Sequence, residues 1–284
     1  MNLQDWIGTS ETLTDVATAA PFAALAATLD WPALEHGRPA VGTPLPHLWH
    51  WLYFLPFAAQ SEIGADGHPK RGGFLPPVPL PRRMWAGSEF EFHASLHVGD
   101  ALSRTSTIAD VKEKSGRTGS LIFVKVRHEI CCNAVADVAL TEHHHIVYRD
   151  APKPNDVAPP PVAAPATSAW SRHIVPDVVQ LFRYSALTFN GHRIHYDRKY
   201  VTEIEGYLGL VVHGPLIATL LMDLLRRNLP NARVLRFEFK AVRPTFDTNK
   251  FSIHGQPEVG GKTVHLWACD HEGWLTMDAT ATVA

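Results

Sequence analysis

Four segments of the chain alternate hydrophobic and polar residues with a period of two. In the first half the alternation runs over residues 90–98 and 122–130, and in the second half over 235–240 and 275–283. Because successive side chains of a strand point to opposite faces of a sheet, this period predicts strands with one buried face. The pattern therefore predicts antiparallel sheet in both halves of the chain.

Two apolar segments are predicted to be buried helices. Residues 216–227 are apolar nearly all round, and Pro215 suits the first helical position, where no backbone N–H is needed. Residues 48–55, which read LWHWLYFL between two prolines, are predicted to be the counterpart in the first half. One buried helix followed by antiparallel strands, occurring twice, predicts an α+β fold in which a curved sheet wraps each helix.

A segment rich in proline and alanine separates the two halves. Residues 151–169 read APKPNDVAPPPVAAPATSA and have no hydrophobic period. Proline favours the extended polyproline II conformation, so this segment is predicted to be a semi-extended linker. It divides the chain into an N-terminal unit, 1–150, and a C-terminal unit, 170–284.

Composition excludes several classes of protein. The 284 residues include 26 Lys and Arg against 28 Asp and Glu, so the net charge of −2 gives no overall basic excess for nucleic acid. Three cysteines without a CxxC pair argue against a disulfide framework and a thiolate zinc site. No signal-peptide pattern and no uninterrupted apolar span are present, so a cytoplasmic protein without a membrane segment is expected.

Ionisable and polar groups are concentrated in residues 182–197, FRYSALTFNGHRIHYD. His195 is suited to carry a proton near neutral pH, and Asn190 offers a donor and an acceptor that can hold a water molecule. Further along, His213 and Gly214 precede the predicted helix, whose first N–H groups can stabilise an oxyanion. A base and an oxyanion site are what water addition to an activated alkene requires.

Other interpretations of these residues stand beside this one. The chain has 17 histidines, so a given histidine is more often structural or exposed than catalytic. His192 and His195 have a spacing that two metal ligands could use, but no third ligand lies nearby in the sequence, and no metal site is predicted. The residues alone therefore indicate an acid–base site ahead of a helix.

Two motifs carry a resemblance to a known family. Residues 182–197, with the helix start at His213, resemble the hydratase motif of MaoC-like enoyl-CoA hydratases. Residues 72–88, GGFLPPVPLPRRMWAGS, are similar to the two-hotdog subgroup, which includes mesaconyl-C4-CoA hydratase (3-methylfumaryl-CoA hydratase) and mitochondrial hydroxyacyl-thioester dehydratases. The resemblance covers nearly the whole chain. It implies a double hotdog fold, with the catalytic motif in the C-terminal unit and the acyl and CoA pocket shaped by the N-terminal unit.

The resemblance also implies roles for individual residues. His195 aligns with the histidine that activates water, and Gly214 with the glycine whose N–H binds the thioester oxygen. Asn190 departs from the family, which commonly has an aspartate there, and a carboxamide cannot exchange a proton at ordinary pH. Either His195 does all the proton transfer or another acid helps, and Asp197 is the nearest in sequence.

Substrate contacts are predicted on the same segments. Arg193 either clamps a substrate carboxylate or forms an ion pair at the surface or between subunits. His213 and Tyr184 are further candidates for substrate contact. The phosphates of CoA have two candidate basic sets, namely Arg71, Arg82 and Arg83 or Arg236, Lys240 and Arg243, although charged strand residues more often form a solvated face.

The expected function is reversible hydration of an α,β-unsaturated acyl-CoA thioester, with mesaconyl-C4-CoA to citramalyl-CoA as the named reaction. Alternatives are a 3-hydroxyacyl-thioester dehydratase of fatty acid synthesis, a thioesterase, and a non-catalytic acyl-CoA binding protein. No cofactor or metal is expected, because the thioester already activates the alkene. A homodimer is expected, because double hotdogs often pair again.

Overall fold

The computed structural model describes residues 2–31, 37–116, 119–151 and 159–284. Three α-helices lie in these ranges: α1 (Ala19–Thr28), α2 (Val178–Leu187) and α3 (Gly214–Asn228). The strands of the first half are β1 (Ser10–Val16), β2 (Arg82–Phe92), β3 (Ala101–Gly116), β4 (Gly119–Cys132) and β5 (Val138–Arg149). Those of the second half are β6 (Trp170–Ile174), β7 (Val234–Ala241), β8 (Phe251–Pro257), β9 (Thr263–Cys269) and β10 (Leu275–Val283).

All these strands form one antiparallel sheet with a two-fold pattern of connections. The strand order is β1-β3-β4-β5-β2-β7-β10-β9-β8-β6. Reversing the second half gives β6-β8-β9-β10-β7, so the five strands of each half occupy equivalent places. The two halves are therefore structural repeats joined edge to edge by β2 and β7, and the predicted antiparallel α+β class is confirmed.

The seam between the halves depends on a glycine. β2 and β7 pair from Gly87 opposite Lys240 to Glu91 opposite Arg236. A Cβ atom on Gly87 would lie 2.2 Å from the carbonyl oxygen of Phe239, a distance at which no side chain fits. On the buried face, the rings of Phe90 and Phe237 stack with their centroids 5.9 Å apart.

The predicted helix of the second half is confirmed. α3 runs from Gly214 to Asn228, so Pro215 is its second residue and not its first. Every residue from 216 to 225 is buried, and the helix packs against β6, β8, β9 and β10. The one carboxylate in this buried stretch, Asp223, is neutralised by arginine side chains from three positions: Arg172, Arg226 and Arg227.

The α-helix predicted at residues 48–55 is wrong. The structure has one turn of 3-10 helix there, Trp49–Leu52, and the residues Leu48 and Phe54 have φ angles of 71° and 56°, outside right-handed helical geometry. The segment is apolar because it packs into the core, where Trp49 and Leu52 are each 2% exposed. The α-helix of the first half is α1, which precedes it.

The predicted strands are confirmed in three of four places. Residues 122–130 lie in β4, 235–240 in β7 and 275–283 in β10. Only residues 90–92 of the segment 90–98 are strand. They are the last residues of β2, which begins at Arg82. Leu96 and Val98 are buried from the loop that follows β2, which explains why the alternation continues beyond the strand.

The proline-rich segment lies between the two sets of five strands. Residues 152–158 are outside the described residues, so their predicted extended conformation has no structural counterpart here. The described remainder runs beside the turn before β10, where the Leu275 N–H donates to the carbonyl oxygen of Val162 at 2.8 Å. The unit boundaries 1–150 and 170–284 stay predictions, since one continuous sheet includes both halves.

No helix among the described residues is long and apolar enough to cross a bilayer.

Candidate active site

The polar motif at 182–197 begins on α2 and continues into an irregular loop. Asp177 caps the start of α2, and its carboxylate accepts hydrogen bonds from the N–H groups of Val179 and Gln180. After the helix ends at Leu187, the chain takes a left-handed conformation at Phe189 and then forms a 3-10 turn, Arg193–His195. This path turns the second part of the motif back towards the start of α3.

His195 lies at the centre of the site and is 8% exposed. Its Nδ1 atom is 2.7 Å from the carbonyl oxygen of Val211. A carbonyl can only accept, so Nδ1 carries the hydrogen and Nε2 is left with a free electron pair. Burial lowers the pKa of His195 to about 4, against an opposing effect of the bond to Val211. The ring is therefore neutral at physiological pH, with Nε2 available as a base.

A second buried histidine, His213, packs against the ring of His195. The rings of His195 and His213 stack with centroids 3.7 Å apart and an interplanar angle of 17°. His213 is held by Ser185, whose Oγ lies 2.8 Å from its Nε2, and by the ring of Tyr184 at 4.9 Å. Burial keeps the pKa of His213 well below its ordinary value, so the stacked pair does not carry two adjacent positive charges.

His213 and Tyr184 are thus placed against His195 itself. Tyr184 is 2% exposed and His213 is 1% exposed. Burial also raises the pKa of the Tyr184 hydroxyl, which keeps that group protonated. Direct contact of either residue with a substrate stays a prediction, and what the structure shows is a fixed support for the base.

Gly214 begins α3 directly after His213. A Cβ atom built on Gly214 would meet only the Cε of Met277, at 3.9 Å, so the packing of the chain does not itself require glycine here. The first N–H groups of a helix lack acceptors within the helix and carry a partial positive charge. The position therefore offers a donor that a thioester oxygen could approach closely.

Asn190 has a different environment from the one predicted. Its Oδ1 accepts a hydrogen bond of 3.0 Å from the backbone N–H of His192, which closes a turn. Among the described residues, no hydrogen bond joins Asn190 to His195. The carbonyl end of Asn190 shapes the loop, while the role of its amide end towards water stays a prediction.

Arg193 forms the ion pair that the sequence left open as one alternative. Its Nε and Nη2 donate to Asp197 Oδ2 at 3.0 and 2.7 Å, and its Nη1 donates to the carbonyl oxygen of Ala65 at 2.9 Å. The guanidinium also lies 4.2 Å above the ring of Tyr200. A substrate carboxylate would have to displace Asp197 to use this group. Asp197 is in turn bound to Arg193 and to the Tyr200 N–H, which favours a structural role.

Three of the six basic residues predicted for CoA phosphates are paired with carboxylates. Arg82, Arg236 and Arg243 contact the carboxylates of Glu205, Glu91 and Asp270. In the described part of the chain, Arg83 and Lys240 have no carboxylate within 4.0 Å. The two candidate sets are therefore each reduced, and the phosphate site stays a prediction.

Residues of the N-terminal half that the sequence interpretation missed lie next to the motif. Asp66 and His68 belong to a short loop ahead of β2, and the His68 ring lies 4.0 Å from the ring of His192. Gly67 contacts Gly191 so closely that a Cβ atom on Gly67 would lie 1.8 Å from the Gly191 carbonyl oxygen. The sequence Asp-Gly-His-Pro at 66–69 is a typical turn, but its partner is more than a hundred residues away in the chain.

A large cavity lies elsewhere. It has a volume of about 620 Å³ and lies between α3 and the segments 43–50 and 92–96, and none of the described residues that line it belongs to the motif at 182–197. Perturbed histidines and an open helix start are better indicators of chemistry than cavity size. The site is therefore placed at His195 and Gly214.

The sequence is similar to a known family and to several named proteins. The sequence matches the family model "Hydroxyacyl-thioester dehydratase type 2" over residues 48–247. It is 44% identical to mesaconyl-C(4)-CoA hydratase of Chloroflexus aurantiacus, over 97% of this chain and 95% of that protein. It is 26% identical to the mitochondrial hydroxyacyl-thioester dehydratase type 2 of Schizosaccharomyces pombe, over 82% of this chain and 86% of that one.

Solved structures agree on the fold. A MaoC-like dehydratase superposes with a TM-score of 0.72, covering 99% of both chains at 13% sequence identity. At that identity the likeness shows the fold alone, and it confirms the predicted double hotdog.

The contact between Gly67 and Gly191 can be tested by a matched pair of variants. Gly67 and Gly42 have φ angles of 90° and 87°, and a Cβ atom on Gly42 would meet nothing within 4 Å. Alanine imposes similar backbone strain at both positions, but only Gly67→Ala adds a clash. We expect Gly67→Ala to lower the free energy of unfolding by about 1–3 kcal/mol more than Gly42→Ala in urea denaturation. Equal losses would contradict the contact.

The buried histidines make stability depend on pH. In the unfolded chain His195 binds a proton with a pKa of about 6.5, whereas in the folded chain its pKa is about 4. Between these values the unfolded state binds more protons, so the free energy of unfolding falls as the pH falls. We expect His195→Gln to flatten this slope by up to about 1.4 kcal/mol per pH unit in urea denaturation. An unchanged slope in His195→Gln would contradict the assignment.

Proposed function

Since this chain belongs to the hydroxyacyl-thioester dehydratase type 2 family, we propose that it is a hydro-lyase that reversibly hydrates an α,β-unsaturated acyl-CoA thioester. The substrate we propose is mesaconyl-C4-CoA (3-methylfumaryl-CoA), and the product is citramalyl-CoA. The observation that carries the reaction is His195, a neutral buried imidazole whose Nδ1 is bound by Val211 while Nε2 is free. The identity of 44% to a hydratase of that name supports the substrate.

The thioester carbonyl is bound first. Its oxygen accepts a hydrogen bond from the N–H of Gly214 at the start of α3, where the helix dipole favours negative charge. Binding there draws electrons from the alkene towards the carbonyl, so that the β-carbon becomes open to attack. The same donor then stabilises the enolate that forms after attack.

Water is activated next. His195 Nε2 takes a proton from a water molecule, and the oxygen forms a bond to the β-carbon. The imidazolium that results is stabilised by its hydrogen bond to the Val211 carbonyl. Proton delivery to the α-carbon completes the hydration, and dehydration follows the same steps in reverse.

The water molecule requires a second partner besides His195. Asn190 is the proposed partner, because its Oδ1 is engaged by the His192 N–H and its amide group can still donate. In this arrangement Asn190 orients the water but exchanges no proton. The reaction as proposed uses no metal or cofactor, because the thioester supplies the activation.

A second candidate function is dehydration of 3-hydroxyacyl thioesters in fatty acid synthesis. It is supported by the 26% identity to the Schizosaccharomyces pombe dehydratase. The two functions differ in the substrate, since mesaconyl-C4-CoA has a free carboxylate on its β-carbon and a simple enoyl thioester has none. Because Arg193 is already paired with Asp197, the substrate carboxylate would have to bind another cation or displace Asp197.

The test is an absorbance assay of the enoyl thioester with the purified full chain. We expect hydration of mesaconyl-C4-CoA to be faster than that of crotonyl-CoA, and His195→Gln to lower kcat by about 10²-fold or more. His265→Gln, which removes a histidine bound to Asp278 on the far strands β9 and β10, serves as the matched control. Hydration of crotonyl-CoA alone would favour the second candidate. Binding of both thioesters without turnover would indicate a non-catalytic binding protein.

We also propose that the protein is a cytoplasmic homodimer. Three free cysteines fit a reducing compartment. The exposed side of α2 has large apolar side chains at Val178, Val179 and Phe182, exposed by 49%, 52% and 60%, which suit a contact between subunits.

Light scattering after size-exclusion chromatography tests the dimer. We expect a mass of twice that of one chain, and Phe182→Glu should shift it to the monomer because it places a charge in the proposed interface. Val259→Glu, at a fully exposed position in the turn between β8 and β9, is the control. A monomeric wild type would refute this proposal without affecting the reaction.

A further inference from the structure

The N-terminal half presents a carboxylate–imidazole pair to the site. Nδ1 of His68 lies 3.0 Å from Asp66 Oδ2, and the backbone N–H of His68 donates to Asp66 Oδ1 at 3.0 Å. The loop is closed by a hydrogen bond of 2.7 Å from the Gly64 N–H to the His68 carbonyl. With Nδ1 turned to the carboxylate, the His68 ring has its Nε2 available for another partner.

This loop is fastened to the catalytic motif by several contacts. The backbone N–H of Arg193 donates to the Asp66 carbonyl at 2.9 Å, and the Arg193 side chain donates to the Ala65 carbonyl at 2.9 Å. Gly67 packs against the backbone of Gly191. The position of His68 is therefore set by the same residues that set the position of His195.

Four histidine rings form a continuous row through the site. The centroids of His68 and His192 are 4.0 Å apart, those of His192 and His195 are 5.5 Å apart, and those of His195 and His213 are 3.7 Å apart. Burial lowers the pKa of His192 to about 2, and His213 is also held neutral by burial. Ser185 engages Nε2 of His213, and His192 has no carboxylate within 4.0 Å among the described residues. His68 is partly exposed and paired with a carboxylate, so it is the member of the row best placed to transfer a proton.

The proposed reaction has one step with no assigned residue, which is the protonation of the α-carbon. Hydration removes one proton from water and adds one to the α-carbon, and Asn190 can do neither. Asp197, the nearest carboxylate in the sequence, is engaged by Arg193 and Tyr200. A carboxylate hydrogen-bonded to an imidazole fixes the ring tautomer and balances the charge when the ring is protonated. The hydrogen bond from His68 in turn holds the pKa of Asp66 below its ordinary value, so Asp66 is ionised.

We propose that His68 is the second catalytic acid–base residue of this site, supplied by the N-terminal half and oriented by Asp66. The inference rests on the proposed hydratase function. His195 takes a proton from water as the oxygen bonds to the β-carbon, and the π electrons of the alkene move to the thioester as an enolate. The enolate then takes a proton from Nε2 of the His68 imidazolium at the α-carbon. The proton on His195 returns through solvent to His68, so that one water molecule is added in total.

A mutation at His68 separates this role from the alternatives. We expect His68→Ala to lower kcat for mesaconyl-C4-CoA by about 10²-fold or more, with KM changed by less than about threefold. Asp66→Asn should lower kcat by about tenfold, because it removes the charge and keeps the shape. The matched control is the pair His265→Ala and Asp278→Asn, a carboxylate–imidazole contact of 2.7 Å between partly exposed side chains of β9 and β10, which should leave kcat unchanged.

Chemical rescue and the pH profile distinguish proton transfer from a structural role. The half-exposed position of His68 gives imidazole room to enter, so millimolar imidazole should restore the kcat of His68→Ala by about tenfold. The alkaline limb of the wild-type pH profile should be lost in His68→Gln. The charged and titratable groups around His68 are Asp66 on its own loop, Arg83 on β2, and three motif residues, His192, Arg193 and His195. A reduced kcat without rescue and with both limbs retained would overturn the proposal.

Two further outcomes are decisive. Asp66, His68 and His192 have ligand atoms within 4.8 Å of one another, so the purified wild type should also be assayed for bound metal. A stoichiometric metal ion whose removal by chelation abolishes turnover would overturn the proton-transfer role. If wild-type protein hydrates mesaconyl-C4-CoA and His68→Ala is equally active, only this inference fails and His195 transfers both protons. If the wild type hydrates no enoyl thioester, the proposed function itself fails.

Discussion

The arrangement of the molecule depends on the backbone pairing of β2 with β7. These two strands would otherwise be open edges of two separate five-stranded sheets, with unpaired N–H and C=O groups facing solvent. Their approach requires Gly87, because a side chain there would collide with the Phe239 carbonyl. The paired strands also bring Phe90 and Phe237 together on the buried face. One glycine thus allows two repeats to share a sheet and a core.

The same seam determines which parts of the two halves meet at the site. The loop containing Asp66 and His68 precedes β2, and the motif containing His195 lies between β6 and β7, so pairing these strands fixes both relative to one sheet. Burial stabilises His195 and His213 in their neutral forms. The close stacking of these two rings is therefore compatible with their environment, whereas it would be unfavourable if both rings were charged.

The sequence predicted an element correctly where the local pattern of hydrophobic residues determines that element. The alternation at 275–283 and the continuous apolar run at 216–227 correspond to β10 and α3, because each pattern reports a single burial environment. The segment 48–55 misled the interpretation because burial alone, without a helix, made it apolar. α1 was missed because its alanine-rich sequence has little distinction between faces. α2 was missed as well, although Asp177 followed by Gln180 is a capping pattern that signals the start of a helix.

The site was predictable only in part. His195 and Gly214 could be named as candidates because each lies in or directly after a recognisable motif, and the structure stacks His195 on His213, the residue before Gly214. Asp66 and His68 could not be named, because their contact with His192 joins positions far apart in the chain and no local pattern encodes it. Arg193 was predicted either to clamp a substrate carboxylate or to form an ion pair, and only the geometry shows that it is paired with Asp197.

The interlocking of Gly67 with Gly191 has a consequence for the order in which the molecule can be made. The loop at 64–68 leaves the ribosome well before the motif it packs against, so it has no partner until most of the chain has been synthesised. A chain that ends early, or is cleaved in the segment between the halves before they pair, lacks one side of the row of histidines. The complete site therefore forms only after both halves of the polypeptide have been synthesised, and unfinished chains would have no activity on thioesters.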